Sequence, residues 1–191
     1  MSDRKLGWAL HLLATLIIAG IVHIVTILAL PHVAVRDSYA RIASVAPINR
    51  FTALPESTPG AELLPLQDPA LARSACRFDV SAGPVRVRAD VTGLDGLLTL
   101  SFHDRRGGSF YATTDRGALR GSIDILLLTR DQLAAVEALD LDDGVPQELR
   151  LLAPTREGFV LAGSLALDSG DRDAARRRLT RVACVQENQR R

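Results

Sequence analysis

Lysine is nearly missing from this 191-residue chain: Lys5 stands alone among 23 basic residues, and all the others are arginine. With the Ala- and Leu-rich usage around it, this reads as GC-rich coding rather than guanidinium chemistry, so arginine abundance is not in itself a phosphate site. Charge of either sign is not in excess. A formal net charge of +1 gives no bulk field toward nucleic acid or anionic lipid, and no nucleic-acid partner is expected. Cysteine is limited to Cys76 and Cys184, with no C-x-x-C pair and no His at metal-ligand spacing, so neither a metal nor another cofactor is expected. No G-x-S-x-G elbow, internal repeat or low-complexity tract is present.

What the chain does have is one long apolar run. Leu6 to Leu30 is a stretch of twenty-five residues without a formal charge, behind Arg4 and Lys5 and ahead of Pro31. As a helix rising 1.5 Å per residue it exceeds the roughly 30 Å hydrocarbon core of a bilayer. A cleaved signal peptide needs a shorter apolar core, about 7–15 residues, and a small-x-small exit. Here the exit is Leu30-Pro31-His32-Val33-Ala34, so a retained signal anchor is the expectation and cleavage the alternative. The short flank carrying Arg4 and Lys5 points the N-terminus to the cytoplasm and the remainder outward. Gly7, His11, Thr15, Ala19 and His23 recur every fourth residue and drift through about 160° of the helix surface. Small and polar residues on one face are what self-association or a membrane-protein partner would use. Each is also tolerated singly in a lone span, which is the simpler reading.

About 155 residues follow, enough for one domain with its own core. In an oxidising compartment Cys76 and Cys184 are expected to pair; two inert buried thiols or one reactive thiol are the alternatives. The expected division is a cytoplasmic N-terminus at 1–5, a transmembrane anchor at 6–30, a juxtamembrane helix and Pro-rich tether at 31–75, and a β-rich domain at 76–191. Tyr39, Ile42, Ala43 and Ala46 mark the short helix, and five of the nine prolines mark the tether between Pro47 and Pro69.

From Cys76 onward the pattern is β. Val85, Val87, Ala89 and Val91 alternate with Arg86, Arg88 and Asp90; Leu98, Leu100 and Phe102 alternate with Thr99, Ser101 and His103. Asp104 to Gly108 supplies a turn before Phe110, Ala112 and Thr114, and further strands are expected at 122–128, 147–153 and 158–167. Thr129 and Gln132 form a capping box ahead of one helix, and a last helix starts near Asp171 and runs to the Cys184 region. The expected fold class is α+β: an N-terminal transmembrane helix, then a mainly antiparallel, sandwich-like domain with two or three flanking helices.

Several strings look familiar together: Pro47-Ile48-Asn49-Arg50-Phe51, Asp68-Pro69-Ala70, Cys76-Arg77-Phe78-Asp79, Gly83-Pro84-Val85-Arg86-Val87, and Phe102-His103-Asp104-Arg105-Arg106-Gly107 followed by Phe110-Tyr111-Ala112. They resemble an uncharacterised bacterial family of small single-span membrane proteins whose outer domain is similar to the "domain of unknown function 1254" group. That resemblance implies a bacterial inner membrane and a periplasmic β-rich domain. It carries no established activity and no catalytic residue.

The densest polar cluster is the hairpin from Ser101 to Asp115, with Ser101, His103, Ser109, Tyr111 and Thr113 expected on one face and Asp104, Arg105 and Arg106 at the tip. Ser, His and Asp are the ingredients of nucleophilic hydrolysis, yet neighbouring strand residues such as His103 and Asp104 point to opposite faces. His103, Arg105, Arg106 and Tyr111 are therefore carried as ligand or partner contacts, since arginine forks suit carboxylates and phosphates. The plainer reading is a solvated hairpin with a charged turn. Arg172, Arg176, Arg177, Arg178 and Arg181 read as a solvated helix face, and Asp140, Asp142 and Asp143 before Gly144 lack the ligand spacing of a calcium loop. The expected function is a membrane-anchored, non-enzymatic binding or assembly module; a periplasmic hydrolase using Ser101, His103 and Tyr111 is the alternative.

Overall fold

The structure, a computed structural model, describes residues 2–56, 58, 60, 62–64, 67–139, 148–168 and 170–187. The loop of Asp140, Asp142 and Asp143 lies outside the described residues. Two compact units are distinguished, residues 1–37 and residues 38–191.

The first unit holds the apolar helix. Helix α1 spans Ser2–Ala43, and its portion Arg4–Leu30, 27 residues, is long and apolar enough to cross a membrane. Pro31 lies within this helix: a single proline removes one backbone donor without obliging a helix to end. Two polar residues of the stripe, His11 and Thr15, bond within the helix itself, as does Thr26 nearby. His11 Nδ1 bonds the Gly7 carbonyl at 2.7 Å, and the Thr15 and Thr26 hydroxyls donate to the carbonyls of His11 and Val22 at 2.8 Å. Such back-bonding lets a lone span carry threonine without a partner.

The second unit is a two-sheet sandwich. Its strands are β1 (Thr52–Ala53), β2 (Leu71–Asp79), β3 (Val85–Asp90), β4 (Leu98–Asp104), β5 (Ser109–Thr114), β6 (Ser122–Leu128), β7 (Leu149–Leu152), β8 (Glu157–Leu165) and β9 (Val182–Gln186). One sheet has the order β1-β2-β8-β4-β5 and the other β7-β6-β3-β9. All pairings are antiparallel except β6 with β7. Helix α2 (Arg130–Leu139) connects that parallel pair, and α3 (Arg172–Leu179) precedes β9. The capping box forms as expected: the Thr129 hydroxyl accepts from Gln132 N at 3.3 Å, and the Gln132 side chain accepts from Thr129 N at 2.9 Å.

The core lies between the sheets. Phe78, Leu98, Leu100, Phe102 and Val160 of the five-stranded sheet face Val85, Val87, Ile125 and Leu127 of the other, and all of them are buried. Cys76 on β2 is bonded to Cys184 on β9, so the disulfide fastens one sheet to the other. The last helix was expected to reach Cys184. It stops at Leu179 instead, and the chain re-enters as a strand in which Val182 and Cys184 are buried while Ala183 and Val185 face outward. The physical reason is the period-2 alternation of Val182, Cys184 and Gln186, which a helix cannot place on one side.

The proline-rich stretch is laid against the sandwich. Thr52 and Ala53 pair with Ala75 and Ser74, Ile48 bridges to Arg77, and β2 begins at Leu71 rather than Cys76. Tyr39, Ile42 and Ala46 are buried with Leu64, Ala75 and Phe159 in a second small core on the outer face of the five-stranded sheet.

Candidate functional site

The outer face of the five-stranded sheet carries the hairpin cluster singled out in the sequence. Four residues of α1's last turns and β8 complete it: Tyr39, Ile42, Glu157 and Phe159.

At the turn, Asp104 is occupied with backbone. Its carboxylate accepts from Arg106 N at 2.8 Å and Gly108 N at 2.9 Å, and Gly107 supplies the left-handed φ of 88° that closes the loop. Asp104 is therefore a turn former and not the third member of a catalytic set. Next to it His103 points along the outer face. Its ring lies 4.7 Å from that of Phe159, with planes 6° apart. The Gly107 carbonyl can only accept, so at 3.1 Å it takes the Nδ1 hydrogen of His103. That leaves Nε2 to accept the Ser101 hydroxyl hydrogen at 3.0 Å. Burial pushes the imidazole pKa down, opposed by the Gly107 carbonyl and the Asp104 charge, so the neutral ring is favoured.

Arg105 covers Tyr39. Its guanidinium carbon sits 3.8 Å from the ring centroid, and its Nε lies 3.4 Å from a Glu157 oxygen. The same Glu157 oxygen accepts the Tyr39 hydroxyl at 3.1 Å. Burial, then Glu157, raises the phenol's pKa above its ordinary value. Arg105 thus spends its charge on a cation–π contact and an ion pair within the cluster, while Arg106 is exposed at the tip.

Tyr111 does not join this face. It was expected beside His103, but it pairs opposite Phe102 with ring centroids 5.7 Å apart and packs toward the core. The cause is a bulge: pairing slips between Phe102 and His103, so Ser109 stands opposite His103 and both Phe110 and Tyr111 fall on the inner side. The slip also puts Thr113 opposite buried Leu100. Of the candidate contacts, then, His103 and Arg105 share one cluster with Ser101, Arg106 stands at its edge, and Tyr111 is separate.

Two groupings escaped sequence reasoning. On the outer face of the four-stranded sheet, Arg86 is held by Glu187 at 2.6 Å, Asp124 at 3.1 Å and Glu148 at 3.2 Å. Burial lowers its pKa, but the carboxylates of Glu187, Asp124 and Glu148 outweigh that and raise it overall. Alternation of Arg86 and Arg88 was visible along β3; the acids that answer them come from β6 and the chain beyond it.

The second grouping is a cavity of about 420 Å³ at one end of the sandwich, between β1–β2 and the α3–β9 corner. Its apolar lining comes from Phe51, Leu54, Leu71, Ala72, Leu179 and Val182. Arg73, Arg172, Arg176 and Arg177 line it as well, and Glu56 pairs with Arg176 and, at 3.8 Å, with Arg172. The arginine-rich helix is accordingly not a uniform solvated face: Arg178 turns inward to Asp171 at 3.0 Å and to the Leu165 carbonyl, and three of the others meet the cavity.

No model of a known protein family matches the chain, and no curated protein matches it. The strings from Pro47 to Ala112 therefore remain a resemblance and assign no family. Among solved structures, the VPA0106 protein from Vibrio parahaemolyticus is similar at a TM-score of 0.55 and 14% identity, over 83% of this chain and 36% of that one. An uncharacterised protein from Burkholderia cenocepacia aligns at a TM-score of 0.44 and 13% identity, over 83% of this chain and 41% of that one. The chain thus spans well under half the length of either structure. What it shares with the Vibrio protein is a fold, and at that identity nothing more.

Proposed function

We infer that this chain is a membrane-anchored binding or assembly module of the bacterial envelope. The uncleaved helix at residues 6–30 would hold the disulfide-bonded sandwich on the periplasmic side of the inner membrane, with the N-terminus in the cytoplasm. The observation that carries this reading is the Cys76–Cys184 bond, which joins the two sheets of a domain downstream of a span-length helix. Such bonds persist in oxidising compartments. The bacterial fold likeness and the short strings support the setting. The cluster of Arg105, Tyr39 and Glu157 supports a structural over a catalytic role for the hairpin, because each charge is already answered by a neighbour. Alkaline phosphatase, which needs an oxidising compartment, tests the arrangement: fused after Arg191 it should be active, and fused ahead of Met1 of the whole chain inactive. The reverse pattern would remove the reading.

One observation favours a hydrolytic alternative. The Ser101 hydroxyl donates to a neutral His103 whose other nitrogen is held by a carbonyl, which is how a general base is aligned on a nucleophile. A fluorophosphonate serine probe decides: labelling lost in Ser101→Ala establishes the enzyme, and a wild-type chain that takes no label leaves the binding reading.

A further inference from the structure

We propose that the cavity beside α3 binds a single-chain anionic amphiphile, an apolar tail carrying a carboxylate or phosphate head. This rests on reading the chain as a binding module and names the ligand class that the module takes.

The tail site follows from the lining. A volume of about 420 Å³ lies in the size range of small-molecule pockets, and its walls are mainly the apolar side chains of β1–β2, α3 and β9. Phe51, Ala72, Leu179 and Val182 also touch or belong to the inter-sheet core, so the cavity opens from the core's own end and not from a dimple on the surface.

The head site follows from charge. Arg73, Arg172, Arg176 and Arg177 all line the cavity, against Glu56 and Asp68 as its acids. Arg172 and Arg176 sit one helical turn apart and converge on the Glu56 carboxylate. That carboxylate comes from the proline-rich stretch and shows how a ligand's head would be gripped, since guanidinium forks take carboxylate and phosphate alike.

An independent observation lies inside. Ser74, 3% exposed, lines the cavity with its hydroxyl unpartnered, and the Gln67 side-chain oxygen, also buried and lining it, lacks a donor. Buried polar atoms are ordinarily paired. Two such groups facing one cavity are accounted for by an occupant that reaches them, directly or through water.

The test uses the full chain in phosphatidylcholine nanodiscs with a diazirine-bearing decanoate, irradiated and mapped by peptide mass spectrometry. Adducts are expected on the peptides holding Ala72, Ser74 and Leu179. They should be competed by decanoate or decyl phosphate, the stronger of the two identifying the head group, and not by decyltrimethylammonium. Replacing both Arg172→Gln and Arg176→Gln should weaken competition by about tenfold. Glu56→Gln should strengthen it several-fold by freeing both guanidiniums, and Ala72→Trp should abolish labelling by filling the floor. Adducts confined to residues 6–30, equal competition by the cation, or a double-arginine variant that labels unchanged would overturn the proposal. None of these outcomes alters the phosphatase pattern, which reads the anchor and not the cavity.

Discussion

The imidazole of His103 lies flat on the ring of Phe159, 4.7 Å between centroids, with both of its nitrogens already engaged. The contact joins β4 to β8 on the face that also receives Tyr39, and burial there makes a charged ring costly.

Acid should therefore loosen this face through one residue. The unfolded chain takes up the imidazole proton near pH 6.5, as an ordinary histidine does. In the folded domain burial lowers that pKa, so the folded state takes the proton only at lower pH. Between the two values the unfolded state holds more protons, and stability falls as the pH drops below about 6.5. Asp90 and Asp171 also have lowered pKa values, Asp90 through its Thr92 bonds and Asp171 through Arg178. Their contribution is lost only on further acidification, below about pH 4. Urea unfolding at stepped pH should show the upper loss in the wild type and not in His103→Gln, with an NMR midpoint for His103 below the ordinary value.

Removing the disulfide should cost far more than any surface change. Cys76 and Cys184 are 108 positions apart, so the bond closes a long loop. Chain entropy alone gives about 4–5 kcal/mol for a loop of that size. Cys76→Ser and reduced wild type should show the same large fall in denaturant midpoint, with Cys76→Ser insensitive to reductant.

Arg86 should behave as a buried hub. Its side chain is 13% exposed and holds Asp124, Glu148 and Glu187 together. Arg86→Leu removes the cation shared by three carboxylates and should destabilise by about 2–3 kcal/mol, less than breaking a fully buried pair because Asp124 keeps Arg88, Glu148 keeps Arg150 and Glu187 is open to water. The penalty should shrink in about 1 M salt, where repulsion among the acids is screened. Chemical denaturation in urea at two ionic strengths measures both.

Gly158 is irreplaceable for a steric reason. A β-carbon there would come within 2.3 Å of the His103 carbonyl oxygen and 2.3 Å of Phe78 Cζ. Gly158→Ala should cost roughly 2–3 kcal/mol, as overpacking in a core does, and should shift the His103 NMR signals because the hairpin must move to admit the methyl group.

Much of this architecture was legible in the chain, for identifiable reasons. Val85-x-Val87-x-Ala89 and Leu98-x-Leu100-x-Phe102 announce strands with one buried face, and Thr129 with Gln132 announces a helix start, because those signals are local. The pairing of Cys76 with Cys184 follows from count and compartment. What was not legible depends on register and on distant chain. A one-residue bulge beside His103 sends Tyr111 to the core and takes it out of the candidate cluster. The brief strand after α3 moves Cys184 from helix to sheet. The cavity could not be foreseen at all, since Glu56, Ser74 and Arg176 meet only after the proline-rich stretch has folded onto β2.

One oxidised domain held by a retained anchor is the proposed arrangement, and one fractionation measures both halves. Cells are broken in the presence of PEG-maleimide, membranes are washed in carbonate, and the chain is run with and without prior reduction. It should remain in the membrane at its full 20.6 kDa, unmodified at first and doubly modified only after reduction. A chain whose thiols react without reduction, or one shortened and released to the soluble fraction, would contradict that arrangement.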